Sequence, residues 1–435
     1  MSKKKSLLYQ RFHSKQNPGN ITDIQTFAVP EPKESFSKVL KHLVEQKYIY
    51  LTEEGYCHLL PKGLFIHEAL VAYAAEMLDM EGAIRYRFSS FFSTNGKDGV
   101  ATLISRFKKH IYKVFGNQEQ YLKYASDPVL FKYLQEREII TPHKIYSPDY
   151  FFRVIQTGEL RPLIQPREFF MTDFHFFCEP NDLDEYIKAS VINKNTVEMF
   201  TDNWYLTIDT NVQFFESNQE FFSDLLTRME VDAIINVTTN KTHYYSIQSQ
   251  FMVDYYEGNK TQLANLQFDE QNGEEFHIIS ASSNKAVSII HGTLLGRTEK
   301  VLALVIGKQL EKERKPILPI WLSPIIVRIL PITNNEKTRN TVDKIASELQ
   351  RISCRYDVDD RNQPLSKKVL EAERDWIPFQ AIIGKQEIEN GTIMIRNRKN
   401  GINTPLSQAE FITMLNGIDN RPQTMPRKFY GNAIY

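Results

Sequence analysis

The sequence predicts a chain of α+β class followed by a smaller α/β unit. Three observations carry this. Between residues 146 and 291, strand-like runs follow one another with few helices between them, which favours an antiparallel sheet with helices packed on it. The wholly charged run from Glu311 to Lys315, ahead of Pro316, reads as a linker. Beyond it, strand-like and helix-like segments alternate, the pattern of a mostly parallel sheet. At 435 residues the chain is long enough for two or three domains, each with its own core. The divisions expected are an N-terminal arm over 1–45, a larger domain over 46–313 and a C-terminal domain over 314–435.

The first 45 residues are polar and contain Lys, Ser and Pro, and are read as an extended arm leading into a short helix. From Pro61 to Gly82, Leu64, Ile66, Leu70, Val71, Ala74, Ala75 and Leu78 recur at helical spacing. Ala83–Phe92 is richer in aromatic and β-favouring residues. Tyr146–Gln156 and Glu168–Cys178 read as antiparallel strands joined by a loop holding Gly158, Pro162 and Pro166. Further strands are expected at Ala233–Thr238, Tyr244–Asp254, Asn265–Asp269, Phe276–Ser280 and Ala286–His291, then a helix at Gly296–Gln309. After the linker come a strand (Ile325–Ile332), a helix (Thr338–Ile352), a strand (Arg355–Val358) and a helix (Ser366–Arg374). Strands at Phe379–Gly384 and Gly391–Asn397 follow, and a last helix starts near Ser407.

Composition excludes several classes. Hydrophobic residues at 42% and charged residues at 24% are the balance of a soluble globular protein. Cys57, Cys178 and Cys354 lie far apart, giving neither a disulfide framework nor a CxxC knuckle, so a reducing, cytoplasmic setting is expected. No apolar h-region follows the N-terminal lysines. The most apolar stretch, Ile317–Ile332, is broken by three prolines and Arg328, so no membrane span is expected. Net charge is zero, but residues 301–435 hold 21 Lys and Arg against 15 Asp and Glu, leaving 32 against 38 in the rest. A basic C-terminal third suits a polyanion-binding module, although a solvated charged face has the same signature.

The most specific signals are sequence motifs. In the C-terminal third they are Pro319–Ile332, Tyr356-Asp-Val-Asp-Asp-Arg-Asn362, Leu365–Pro378 with its Asp-Trp-Ile-Pro ending, and Ile383-Gly-Lys-Gln-Glu387. In the larger domain they are Phe152-Arg153, Gly158-Glu-Leu, Arg167-Glu-Phe-Phe-Met-Thr-Asp-Phe-His175, and His291-Gly-Thr-Leu-Leu-Gly-Arg-Thr-Glu-Lys300. Pro61-Lys-Gly-Leu64 and the helix after it, up to Gly82-Ala83, precede them. Together they resemble the threonyl-tRNA synthetases of the archaeal type, in their class II catalytic and anticodon-binding domains, from about residue 50 onward. The short arm leaves no room for a separate editing domain ahead of them.

That resemblance implies ATP-dependent attachment of threonine to tRNA through threonyl-adenylate, with Mg accompanying ATP, and a homodimer. Arg153 matches the arginine that clamps the α-phosphate and the amino acid carboxylate. Gln165, Arg167, Phe169 and Lys300 fall at ATP-binding positions, with Phe169 placed to stack on adenine. Asp127, His175 and His291 match the zinc ligands that grip threonine, with Asp127 where the family has Cys; carboxylate and imidazole are both legitimate zinc ligands. Asp173, two residues before His175, shares its sheet face and matches a substrate hydrogen-bond acceptor. Tyr245, Gln267 and Arg297 fall at amino-acid-pocket positions. Arg361, Asn362 and Trp376 match anticodon contacts, because Arg and Asn read splayed bases and Trp stacks on them. A core aromatic beside Pro378 is an equal reading of Trp376.

The motifs are altered. Ile155 stands where the family has Glu, Gln165 and Lys300 where it has Arg, Arg297 where it has a small residue, and Ser89 where it has Pro. Three readings follow: a working threonine–tRNA ligase, a lapsed paralogue that uses the fold to bind tRNA or a protein, and, because of Arg297, an aminoacyl-adenylate or acyl-transfer enzyme for a different amino acid.

Overall fold

The computed structural model describes residues 8–12, 36–52, 56–94, 99–107, 109–116, 119–239, 243–256, 259–311, 315–416 and 418. Most of the expected arm, the middle of the charged linker and the last residues therefore lie outside the described residues. Within the arm, Leu8–Phe12 forms a strand and Phe36–Glu45 a helix.

Nine strands make the main sheet. From one edge they run Leu8–Phe12, Ala233–Thr238, Trp204–Asn211, Tyr245–Tyr256, Asn259–Asp269, Ser288–Arg297, Glu168–Cys178, His143–Phe152 and Ile84–Arg85. All neighbours pair antiparallel except Trp204–Asn211 with Ala233–Thr238, and Ile84–Arg85 with His143–Phe152. The strand Glu168–Cys178 shows why the sheet is buried on both faces. Its even residues Phe174 and Phe176 join a core with Leu70, Ala74 and Leu78 of helix Pro61–Met80 and with the apolar residues of helix Thr298–Leu310. Odd-numbered Phe177 joins a second core around Phe131, Leu130 and Phe276. The period of two thus sorts the side chains between two apolar bodies. Asp173 and His175 lie on the side of the second core, just beyond where it ends.

A five-stranded sheet, with its own core of Val327, Ile329, Ile345, Phe379, Ile383 and Phe411, forms the C-terminal unit. Val327–Pro331 pairs in parallel with Tyr356–Val358 and Phe379–Ile383. The expectation of a mostly parallel sheet needs correction: Thr392–Asn397 and Asn403–Ser407 continue it antiparallel. Only the six-residue helix Lys385–Asn390 separates Phe379–Ile383 from Thr392–Asn397, too little chain for a parallel crossover of a dozen or more residues.

Specific contacts join the two units. Asp375 accepts from Lys62 at 2.5 Å and from Arg328 at 2.8 Å, and Arg328 also forks onto Asp357. Arg355 lies 4.8 Å from the Phe65 ring. Trp376, 5% exposed, stacks on His42 with ring centroids 4.8 Å apart and belongs to the core of the larger unit. Among the described residues, no helix is long and apolar enough to cross a membrane. Burying an indole at this junction makes Trp376 structural. Trp376→Ala should lower the unfolding free energy by about 3–5 kcal/mol in urea titration; an unchanged midpoint would refute the packing role.

Candidate functional site

The registers of three strands build the site. Opposite His175 stands His291, and opposite Asp173 stand Ser147 on one neighbour and Thr293 on the other. Cross-strand partners in antiparallel pairs share a face, so these five side chains line one patch. The short helix Asp127–Leu134 adds Asp127 from its first turn and covers both imidazoles with Phe131, whose ring meets each edge-on at 5.7 Å.

Asp127, His175 and His291 converge as the sequence led us to expect. Their candidate donor atoms all lie within 4.8 Å of one another, and all three residues are buried. Asp127 Oδ1 is 2.7 Å from His175 Nε2 and 3.5 Å from His291 Nδ1. Asp269 was not anticipated; its Oδ2 lies 2.8 Å from His291 Nε2, and the same carboxylate accepts from the backbone N–H groups of Gln271 and Asn272. Only folding reveals this carboxylate behind the histidine, since nothing local in the sequence links residues 269 and 291. Burial opposes the charge on Asp127, yet its bonds to His175 and His291 hold its carboxyl well below the usual range. Burial likewise disfavours protonated His291, but Asp127 and Asp269 outweigh it and raise the imidazole to about 10. One carboxylate oxygen and two imidazole nitrogens at this spacing fit a zinc ion or a similar divalent metal, and a carboxylate behind a ligating histidine is the usual support for one.

Beside the trio, Asp173 accepts the Ser126 N–H at 3.0 Å, and burial raises its carboxyl. Three buried hydroxyls in this region, on Tyr124, Ser147 and Thr293, have no hydrogen-bond partner among the described residues, and the Ser126 hydroxyl lies against Asp173. Such groups are normally satisfied, and together they mark a polar patch that sequence reasoning did not find. Arg153 borders it: its Nε donates to Tyr124 O at 3.1 Å, and burial lowers its pKa, opposed by Asp173 and Asp127.

The tyrosine expected at the pocket is displaced by one residue. Tyr245 stacks on His243 and donates to Gln248, whereas Tyr244 sets its ring 5.6 Å from His291 and donates to Gln267 at 2.6 Å. A register irregularity between Tyr245 and Ile247 accompanies the change. Gln267, directly opposite His291, lies where expected.

The residues expected around ATP take varied positions. Phe169 is 1% exposed, with the Arg297 guanidinium carbon 4.3 Å and that of Arg153 5.2 Å from its ring centroid. Its ring therefore offers no open face for a base. Arg297 donates to Ile164 O at 2.6 Å, and it sits on Phe169 rather than on the trio, correcting its expected place in the amino acid pocket. Arg167 donates to Ile155 O, and Gln165 closes a turn on Arg161 through the backbone. Lys300 is buried, donates to Gln262 O at 2.7 Å, and burial followed by repulsion from Arg297 lowers it to about 7.

In the C-terminal unit, Asn362 is exposed. Arg361 is also exposed, but its guanidinium is engaged by Asp359 and Glu371. Trp376 is the correction: packed on His42, it has no face free to receive a base.

Comparisons with known proteins agree with this layout. Residues 326–418 match a family model described as an anticodon binding domain. The chain is similar to threonine–tRNA ligases. It is 26% identical over 396 residues to that of Pyrococcus horikoshii, covering 86% of this chain and 63% of the relative. With that of Hyperthermus butylicus it is 28% identical over 292 residues, covering 63% and 46%. The chain thus spans about half to two thirds of the length of these relatives. In fold it resembles the RNA binding domain of threonyl-tRNA synthetase from Cryptosporidium parvum, with a TM-score of 0.76 at 19% identity, covering 87% of this chain and 98% of that one.

Glu299 supplies a pH test of the site's floor. Both its oxygens accept the Phe170 N–H, and burial pushes its carboxyl up to about 7. A carboxyl raised in the folded state stabilises the fold when protonated. That contribution is complete below about pH 4.5 and is lost as pH rises through about 7. Urea unfolding between pH 4.5 and 7.5 should show the wild type losing up to about 3 kcal/mol relative to Glu299→Gln; parallel profiles would contradict the assignment.

Proposed function

We propose that this protein is a threonine–tRNA ligase, activating threonine with ATP and transferring it to tRNA. The observation that carries the reading is the convergence of Asp127, His175 and His291 beside Asp173 and Arg153, on a chain similar to threonine–tRNA ligases.

Each side chain has a role suited to its setting. Asp173, beside buried hydroxyls, accepts a hydrogen bond from the amine of the amino acid. The amino acid carboxylate attacks the α-phosphate and pyrophosphate leaves, giving threonyl-adenylate, while Arg153 holds both reactants as charge spreads over the phosphate oxygens. A zinc ion held by Asp127, His175 and His291 would supply a Lewis-acid grip on the amino and hydroxyl groups, with Asp269 fixing the His291 ring. Rejection of valine then follows, because an analogue lacking the hydroxyl leaves buried polar groups unpaired. The unit holding residues 326–418 binds the tRNA anticodon, and two copies of the chain pair.

Threonine-dependent exchange of pyrophosphate into ATP tests the proposal. Wild-type protein should catalyse it, and Arg153→Ala should reduce it by about 10²–10³-fold. The covered ring of Phe169 and the buried Lys300 favour a second reading, a lapsed synthetase that retains tRNA binding. Absence of exchange in the wild type, with tRNA still shifted on a native gel, selects that reading.

Metal content is a separate check. Purified protein should carry about one zinc per chain, and Asp127→Ala or His291→Ala should carry none. Asp269→Asn should weaken retention against a chelator by about 10–100-fold. Full retention in the ligand variants would remove zinc from the account.

A further inference from the structure

Arg297 is held in an unusual way. Its guanidinium carbon lies over the Phe169 ring, 4.3 Å from the centroid, and the side chain donates to the Ile164 carbonyl. Among the described residues, no carboxylate lies within ion-pair distance of it or of Arg153, the second cation on the same ring. Two buried like charges therefore share one aromatic ring. Desolvation and mutual repulsion both work against this arrangement, and burial with Arg153 nearby lowers Arg297 to about 9.

The backbone beneath it is fixed. Gly296 adopts φ +54, and a Cβ there would meet Leu263 O at 2.5 Å, so no other residue fits without a shift. Arg297 follows directly and starts the helix Thr298–Leu310. Its Cα is thus held at the start of that helix, and the guanidinium sits at the end of a long side chain with several torsions of its own. What leaves is a planar π-cation, and what a planar aromatic face accepts equally well is a nucleobase, which stacks on rings much as guanidinium does.

We propose that Arg297 occupies the nucleobase slot of this protein, and that a purine nucleotide gains its base contact only when Arg297 withdraws from Phe169. Arg297 is then the residue that determines how strongly the base, as distinct from the phosphates, contributes to binding. The proposal rests on the reading of the site as ATP-binding. It goes beyond that reading by assigning a self-blocking contact to a residue of this chain.

Calorimetric titration of the full chain with Mg-ATP and with Mg-tripolyphosphate separates base from phosphate. Wild-type protein should favour ATP over tripolyphosphate by less than about threefold. Arg297→Ser should bind ATP at least about tenfold tighter, the scale of one base–aromatic stack, with tripolyphosphate unchanged or weaker. Adding Phe169→Leu should abolish the gain. Arg297→Gln, which keeps the length without the charge, gives a second route should the serine variant melt early. Unchanged ATP affinity in both variants, a parallel loss of both ligands, or no binding of either ligand to any form overturns the proposal. Failure of threonine-dependent exchange in the wild type, with the ATP gain still present, would remove the ligase reading and leave this one standing.

Discussion

The Asp127 carboxylate, shared by His175 and His291 and backed by Asp269 on the far side of His291, is the constraint around which the rest of the larger unit is arranged. Charges out of water survive only when paired and hydrogen-bonded. Here the pairing requires two strands in one register and a helix start delivered from a distant part of the chain. Phe131, from that same short helix, seals the imidazoles on one side and joins the second core on the other. Packing and electrostatics are therefore satisfied by the same element, and displacing the helix would strip both.

Next to this paired cluster lies a contrasting one. Arg153 and Arg297 are cations in buried surroundings and, with Lys300, whose charge burial opposes, they donate to the backbone carbonyls of Tyr124, Ile164 and Gln262. Carbonyls orient a guanidinium or an amine without neutralising it, so the positive field remains for an anion. Among the described residues, the adjoining hydroxyls of Tyr124, Ser147 and Thr293 are likewise unpartnered. A polar surface this incompletely satisfied is expensive in a folded protein and is usual where a ligand completes it. The stability lost there is offset by the large apolar cores on either side of the sheet.

The two units meet through a mixed junction. Lys62, Asp375, Arg328 and Asp357 form a continuous ionic chain from the first long helix into the C-terminal sheet, while Trp376 and His42 stack beside it. Asp375 and Trp376 are neighbours in the loop after helix Leu365–Arg374, so one short segment supplies both the charge and the ring. Its orientation against the larger unit leaves Asn362 exposed at the other end of the same helix.

Much of this was legible in the residues alone. Strand Glu168–Cys178, helix Pro61–Met80 and the alternation after residue 325 follow from periodicity, because a period of two or of 3.6 is imposed by local backbone geometry. Asp127, His175 and His291 were legible through motif resemblance, and their meeting depended on strands keeping the expected register. Other features had no local signal. Asp269 behind His291, the substitution of Tyr244 for Tyr245 at the pocket, the covering of Phe169 by Arg297 and the burial of Trp376 against His42 each join segments far apart or turn on a single register shift. Local periodicity by itself determined several of the strands and helices, though not strand Trp204–Asn211 or helices Leu183–Glu198 and Gln219–Met229, and residue type determined which side chains bear chemistry. Tertiary structure alone decided which of those side chains face one another, since long-range contact and burial, and hence charge and access, are properties of the packed chain and not of any stretch of it.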